Sequence, residues 1–156
     1  MTIRKAQLSD IPKILDLLSQ VLEVHAKIRP DIFVSGTRKY NAEQLEAILC
    51  DETRHVYVAE NQDGNVVGHI FFEIKKQPGS NTRQFNTLFV EDLCVDENAR
   101  RQRVGESLFE VAKEEARQLD CRAIALAVWE GNTPAQNFYN KMGMHTKLSQ
   151  MEYILD

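Results

Sequence analysis

Apolar positions change period several times along the chain, and each change marks a predicted element. Ile11, Ile14, Leu15, Leu18, Val21 and Leu22 recur at helical spacing. Ser9 stands where a cap is expected, with Asp10 and Pro12 in the first turn. Residues 2–6 before it read as a short strand. His25 to Tyr40, containing Arg29-Pro30-Asp31 and Ser35-Gly36, reads as loop or broken helix. Asn41 followed by Gln44 is a capping-box pattern for a short helix ending near Cys50. Two β-rich runs, His55–Glu60 and Asn65–Lys75, are joined by Asn61-Gln62-Asp63-Gly64, which predicts a hairpin with an Asp-Gly turn.

The second half continues in the same way. Residues 86–95 form an apolar run interrupted by Glu91-Asp92 and followed by an arginine-rich loop. Val104, Leu108, Val111, Ala112 and Ala116 then predict a helix from Val104 to Gln118. Residues 122–128 are continuously apolar, as expected of a strand covered on both faces. Asn132 opens a last helix, Gly143 ends it, and the tail to Leu155 alternates as a final strand. The order β-α-α-β-β-β-α-β-α-β predicts one α/β (α+β) domain over residues 1–156. Its sheet would be mostly antiparallel and mixed, of about six to seven strands, with about four flanking helices. Strand 86–95, its helix and strand 122–128 form a crossover, so those two strands are expected to be parallel.

Composition narrows the class further. A chain of 156 residues is long enough for a real core, and no apolar run approaches the length that spans a bilayer. A net charge of −4 argues against general nucleic-acid binding, yet Arg100, Arg101 and Arg103 stand together. The N-terminus lacks an apolar signal core, and Cys50, Cys94 and Cys121 are odd in number and far apart. They read as reduced, buried thiols of a cytoplasmic protein, and the histidines share no metal spacing with them.

The arginine loop is the first chemical signal. A strand feeding a loop feeding a helix places unpaired backbone N–H groups and the positive end of the helix dipole together. Such a place suits a pyrophosphate, with the arginines adding charge and Gly105 allowing close approach. Arginines that merely face water are the competing reading.

A second segment, Asn132-Thr-Pro-Ala135-Gln-Asn-Phe138-Tyr139-Asn-Lys141-Met-Gly143-Met144, decides between them. With Arg100-Arg101-Gln102-Arg103-Val104-Gly105 it resembles the paired motifs of the Gcn5-related N-acetyltransferase superfamily. Arg103 replaces the first motif glycine, which suits the loop provided that Arg103 keeps φ below zero; Met144 replaces the last Phe. The resemblance implies an acetyl-CoA cosubstrate held by Leu93, Cys94 and Val95 of the strand and by Arg100, Arg101, Gln102, Arg103, Val104, Gly105, Glu106 and Ser107. Asn132, Ala135, Phe138 and Lys141 of the last helix would complete that site, with a backbone N–H near Leu93 as oxyanion donor. A bulge that splays strand 86–95 from strand 122–128 is also implied.

Two catalytic residues are expected. Tyr139 is placed to protonate a departing thiolate, its alternative being a core or rim tyrosine. Glu91 is the candidate base, because a buried carboxylate without work or partner is costly; a rim carboxylate paired with Arg or Lys is the alternative. Alternation puts Glu91 on the face of Leu93 and Val95, with Asp92 opposite, and desolvation is expected to raise Glu91. His69 reads as a sheet residue, while His25 and Arg29 lie where the resemblance implies an acceptor pocket. The expected function is N-acetyl transfer from acetyl-CoA to a primary amine by direct attack, without a covalent cysteine intermediate, a metal, a nucleic acid or a membrane. A CoA-binding sensor without turnover is the alternative, and a homodimer is one option for its assembly.

Overall fold

In a computed structural model that describes residues 1–155, one sheet of five strands carries two hydrophobic clusters, one on each face. The strands are β1 (Thr2–Lys5), β2 (Arg54–Glu60), β3 (Val66–Gln77), β4 (Phe85–Val95) and β5 (Cys121–Ala125). They lie in chain order, antiparallel except for the parallel β4–β5 pair that the crossover requires. Helices α1 (Ile11–Ile28) and α2 (Ala42–Cys50) cover one face, burying Ile14, Leu17, Leu18 and Leu45 against Val56, Val58 and Phe71. Helix α3 (Val104–Gln118) covers the other, with Leu108, Ala112 and Ala116 against Ile70, Phe72, Leu88 and Val90. Helix α4 (Thr133–Lys141) follows β5.

Most sequence signals have the structural basis expected of them. Asn41 and Gln44 exchange the two bonds of a capping box at the start of α2. The Asn61 carboxamide accepts from the amides of Asp63 and Asn65, and Gly64 turns the hairpin at φ 81°. Ser9, by contrast, caps nothing. A 3-10 turn over Leu8–Asp10 precedes α1, and Asp10 accepts from the Gln7 amide and from the Arg4 guanidinium. Of the cysteines only Cys94 is buried, Cys50 being exposed and Cys121 half-buried; all three are free thiols.

Two differences in the sheet matter more. Among the described residues the tail beyond Gly143 forms no strand, so the sheet has five strands and β5 is its last. In β4 the register against β3 shifts: Phe72 faces Val90 but Phe71 faces Asp92, leaving Glu91 as an extra, bulged residue. Its pairing with β5 runs only from Asn86 to Phe89, so beyond Phe89 the two parallel strands part.

Gly68 marks where β3, β4 and α3 meet most closely. A Cβ there would lie 2.9 Å from the Cys94 carbonyl oxygen, 3.0 Å from Val104 Cγ1 and 3.2 Å from Leu108 Cδ1. Gly68→Ala is therefore expected to lower stability by roughly 1–3 kcal/mol, the usual cost of overpacking. A denaturant midpoint unchanged from wild type would show that α3 can move off the sheet freely.

Candidate active site

The bulge decides where the β4 side chains point. Leu88 and Val90 pack on the α3 side, yet after the extra residue Leu93 and Val95 do so, and Cys94 joins the α1–α2 side. Simple alternation placed Glu91 with Leu93 and Val95. Instead both carboxylates turn toward α1 and α2. Glu91 reaches Tyr40, which packs on that cluster, and Asp92 reaches His69, which shares a β3 face with Phe71.

Glu91 is a paired carboxylate. The Tyr40 hydroxyl and the Arg54 guanidinium donate to it, and Lys39 Nζ lies 2.9 Å away. Burial works to raise its pKa, but the hydrogen bonds from Lys39 and Tyr40 and the charges of Lys39 and Arg54 outweigh it. The carboxyl is held below the usual range, not raised as expected. The Tyr40 phenol is pushed up in turn, by burial first and then by Glu91.

Asp92 has different surroundings. His69 is wholly buried, 0% exposed, and its Nε2 meets Asp92 Oδ2 while its Nδ1 has no partner. The Phe71 ring stands edge-on to the imidazole at 4.9 Å. Asp92 also lies near enough to His25 and Tyr139 for its charge to act on both. His25 is lowered by burial, with Asp92 opposing, so its imidazole is neutral at pH 7. The histidine that gathers these groups was read from the sequence as a plain sheet residue. The available signal was an imidazole in an apolar strand with a carboxylate on the neighbouring one, and register was needed to join them.

Tyr139 sits on α4 with its ring against Phe109 and Phe138, at 6.3 and 5.1 Å. Burial, then the charges of Asp92 and Cys94, push its phenol well above the ordinary value, so it keeps its proton. The Cys94 thiol is pushed up to about 12 by burial, with Asp92 adding to the shift, and it donates to the Leu17 carbonyl at 3.3 Å. It is a core residue and a poor nucleophile.

The loop before α3 leads into an uncapped helix end. Asp96 holds its start, accepting from the Asn98 amide and from Lys13 Nζ at 2.5 Å. Arg101 and Arg103 both adopt positive φ, 64° and 61°. Arg103 thus has the conformation that favours glycine, contrary to the expected negative φ, and two left-handed residues so close together are strain held by their surroundings. No side chain caps α3, so its first-turn amides at Val104, Gly105 and Glu106 face outward from an open helix end. Arg100, Arg101, Gln102 and Arg103 are exposed around it. Ser107 is turned inward, its hydroxyl on the Arg103 carbonyl.

Gly105 is where α3 meets α4. A Cβ there would lie 3.2 Å from the Phe138 ring and 3.6 Å from Val95 Cγ2, so the glycine lets α4 close on α3. Asn132 caps α4 by accepting from the Ala135 amide at 3.4 Å. Lys141 reaches back 2.5 Å to Glu106 and neutralises the one acidic side chain in the first turn of α3. Across the cleft, His25, Phe33 and Trp129 form an aromatic row, with Arg29 above Trp129 and bonded to Asp31. Among the described residues there is no cluster able to hold a metal.

Comparison with known proteins identifies the family and the fold. The Acetyltransferase (GNAT) family model matches residues 19–144, and the chain belongs to that family. An uncharacterized N-acetyltransferase encoded in the pepI 3' region of Lactobacillus delbrueckii subsp. lactis is 29% identical over 60% of this chain, a match spanning 53% of that protein. A point mutant of the BH1408 protein of Bacillus halodurans superposes with TM-score 0.95 at 30% identity, over 99% of both chains. The glucosamine-6-phosphate N-acetyltransferase of Arabidopsis thaliana shares the fold at 23% identity and TM-score 0.72, over 99% of this chain and 98% of that one. So does an aminoglycoside N-acetyltransferase in complex with CoA, at 17% and 0.74, over 99% of both.

The strained loop makes a prediction. Arg103→Gly relieves a left-handed residue, which costs roughly 1–2 kcal/mol, against roughly 0.5–1 kcal/mol for glycine's extra freedom when unfolded. Stability in denaturant is expected to hold or to rise by up to about 1 kcal/mol. Arg100→Gly, where φ is −63°, is expected to gain nothing. A clear loss in Arg103→Gly would contradict the loop geometry.

Proposed function

We propose that the protein transfers an acetyl group from acetyl-CoA to a primary amine by direct attack in a ternary complex, with Asp92 as base and Tyr139 as acid. One observation carries this reading. β4 parts from β5 just before the bulge at Glu91, and the bulge turns Asp92 to the α1–α2 side, near enough for its charge to act on the half-buried Tyr139 phenol.

Acetyl-CoA would supply the acetyl group on a thioester. The open end of α3, at Val104 to Glu106, and the arginines before it suit the pyrophosphate. The β4 edge at Leu93, Cys94 and Val95, which has no strand beside it after Phe89, suits the pantetheine amides. Asn132, Ala135 and Phe138 form the facing wall, and Lys141 stands at the outer end. A backbone N–H near Leu93 would donate to the developing oxyanion. Asp92, steadied by buried His69, takes the proton from the attacking amine, directly or through a water. The amine nitrogen bonds to the acetyl carbon, the C–S bond breaks, and Tyr139 returns a proton to the sulfur. Cys94 is buried with its thiol pushed up to about 12, a poor nucleophile, which supports direct attack over a covalent route through it. Glu91 binds the loop containing Tyr40 to the sheet and shapes the acceptor side.

The first test is thiol release from acetyl-CoA across a panel of amines. Signal that depends on the amine supports the reading. Binding of acetyl-CoA without release in any case would favour a sensor. With a competent amine, Tyr139→Phe is expected to lower kcat by roughly 10²- to 10⁴-fold with little change in cofactor affinity. Asp92→Asn is expected to fall in the same range. Glu91→Gln should keep kcat near wild type and lose stability, since Arg54 and Lys39 lose their charged partner. If Glu91→Gln loses the activity and Asp92→Asn keeps it, the roles of the two carboxylates are reversed.

A further inference from the structure

The sheet face that carries α1 and α2 is covered over only part of its length. Ile74, Leu88 and Val90 point to the α3 side, so Lys75 of β3 and Phe85, Thr87 and Phe89 of β4 point to the other. The cluster beneath α1 and α2 reaches Phe71 on β3 and Cys94 on β4 and goes no further toward the β3–β4 turn. Where the helices stop, two cations lie over half-buried aromatic rings. Lys75 Nζ is 3.7 Å from the centre of the Phe89 ring, and the Arg122 guanidinium is 4.9 Å from that of Phe85. Glu73 lies 3.8 Å from Lys75, whereas Arg122 has no acidic partner among the described residues.

This uncovered strip is continuous with the acceptor side of the site. Along β4, Phe85, Thr87 and Phe89 lead to Glu91 and Asp92 on the same face. From Phe85 to Asp92, at about 3.3 Å per residue, the floor is roughly 23 Å long, the reach of several extended peptide residues. Beyond Asp92 it is shut, because Cys94 lies under α1 and donates to the Leu17 carbonyl at 3.3 Å. Charge is graded along the strip. Asp92 stands at the closed end, while Lys39, Arg54, Lys75 and Arg122 line the way out, in a chain whose net charge is −4. Glu91 and Glu73 offset only part of that positive charge.

We infer that the acceptor is the N-terminal α-amine of a polypeptide with acidic side chains near its start, laid along β4 from Asp92 toward Phe85. This rests on the transfer reading given above. A floor closed at one end admits a chain terminus and excludes a chain that continues past it. An α-amine, with an ordinary pKa of about 7.7–8.0, also loses its proton to a carboxylate base far more readily than a lysine does, at about 10.4. The acidic side chains meet Lys75 and Arg122, and the apolar parts of the peptide meet the Phe85 and Phe89 rings. Exposed charges of this kind act on association and on the choice of partner, so Lys75 and Arg122 select the acceptor and stay outside the acetyl step.

The test is thiol release from acetyl-CoA by the full chain with three peptides of about eight residues, a length that fills the strip. One has a free N-terminus followed by glutamates, the second replaces those glutamates by glutamines, and the third is acidic with a blocked N-terminus and a central lysine. Alaninamide serves as the small amine. The first peptide is expected to be the best acceptor, with kcat/KM at least about fivefold above its glutamine counterpart, the gap lying in KM and shrinking as salt is raised. Lys75→Glu with Arg122→Glu changes only exposed side chains and should abolish that preference, with circular dichroism checking the fold. If the variant does not fold, the wild-type salt series decides, and a preference unmoved by salt overturns the inference. Equal use of the acidic and glutamine peptides, a preference for the lysine peptide, or a preference that survives the charge reversal would also overturn it. Release with alaninamide but with no peptide would sink this inference and leave the transfer reading standing. No release with any amine, while acetyl-CoA binds, would sink both.

Discussion

Between Val90 and Asp92 the fourth strand carries a residue that the third does not match, and the chemistry of the site depends on that mismatch. A two-residue period is unforgiving: one extra residue sends every later side chain to the other face. Without Glu91 as the extra residue, Asp92 and Cys94 would continue the row of Leu88 and Val90 beneath α3, and His69 would lose its carboxylate. The bulge also strengthens the local twist, and β4 leaves β5 directly ahead of it, after Phe89. An opening between the last two strands of the sheet, with the β4 backbone on one side, follows from one local irregularity.

Charges drawn into such a cleft need partners, and each carboxylate has found a different kind. Glu91 is surrounded by Lys39, Tyr40 and Arg54 and stays ionised as an anchor for the loop after α1. Asp92 has only a buried imidazole, itself left with one nitrogen unbonded. A buried, incompletely satisfied polar pair is a cost that a structural role does not explain, and such pairs concentrate where a protein does chemistry. The strain at Arg101 and Arg103 belongs to the same pattern, set beside an uncapped helix end.

Much of this was legible in the sequence, and the illegible parts share a cause. Helix α3 and the 61–64 turn were read closely because periodicity and Asp-Gly chemistry are local. The start of α3 at Val104 and the capping Asn132 were legible for the same reason. The face of Glu91 was misread because alternation assumes an unbroken ladder, and a bulge in a strand apolar on both faces leaves no mark on the pattern; Asp92 does lie opposite Leu93 and Val95, as alternation gave it. The left-handed Arg103 was invisible since nothing but glycine or asparagine advertises that conformation. Ser9 failed as a cap because a 3-10 turn shifted the start of α1 past it. The tail was read as a strand from its own alternation, which says what a segment can pair as but not with which edge.

The most direct test of the central claim, that the β4 bulge opens a cleft bounded by the start of α3, is an amide NMR titration with CoA. The account predicts that the largest shifts fall on Leu93 to Val95 and on Val104 to Glu106, with Tyr139 and Asp92 responding and β1 and β2 little changed. Shifts that avoid residues 93–95 and gather elsewhere on the surface would show that the gap between β4 and β5 is a feature of packing and not a binding site.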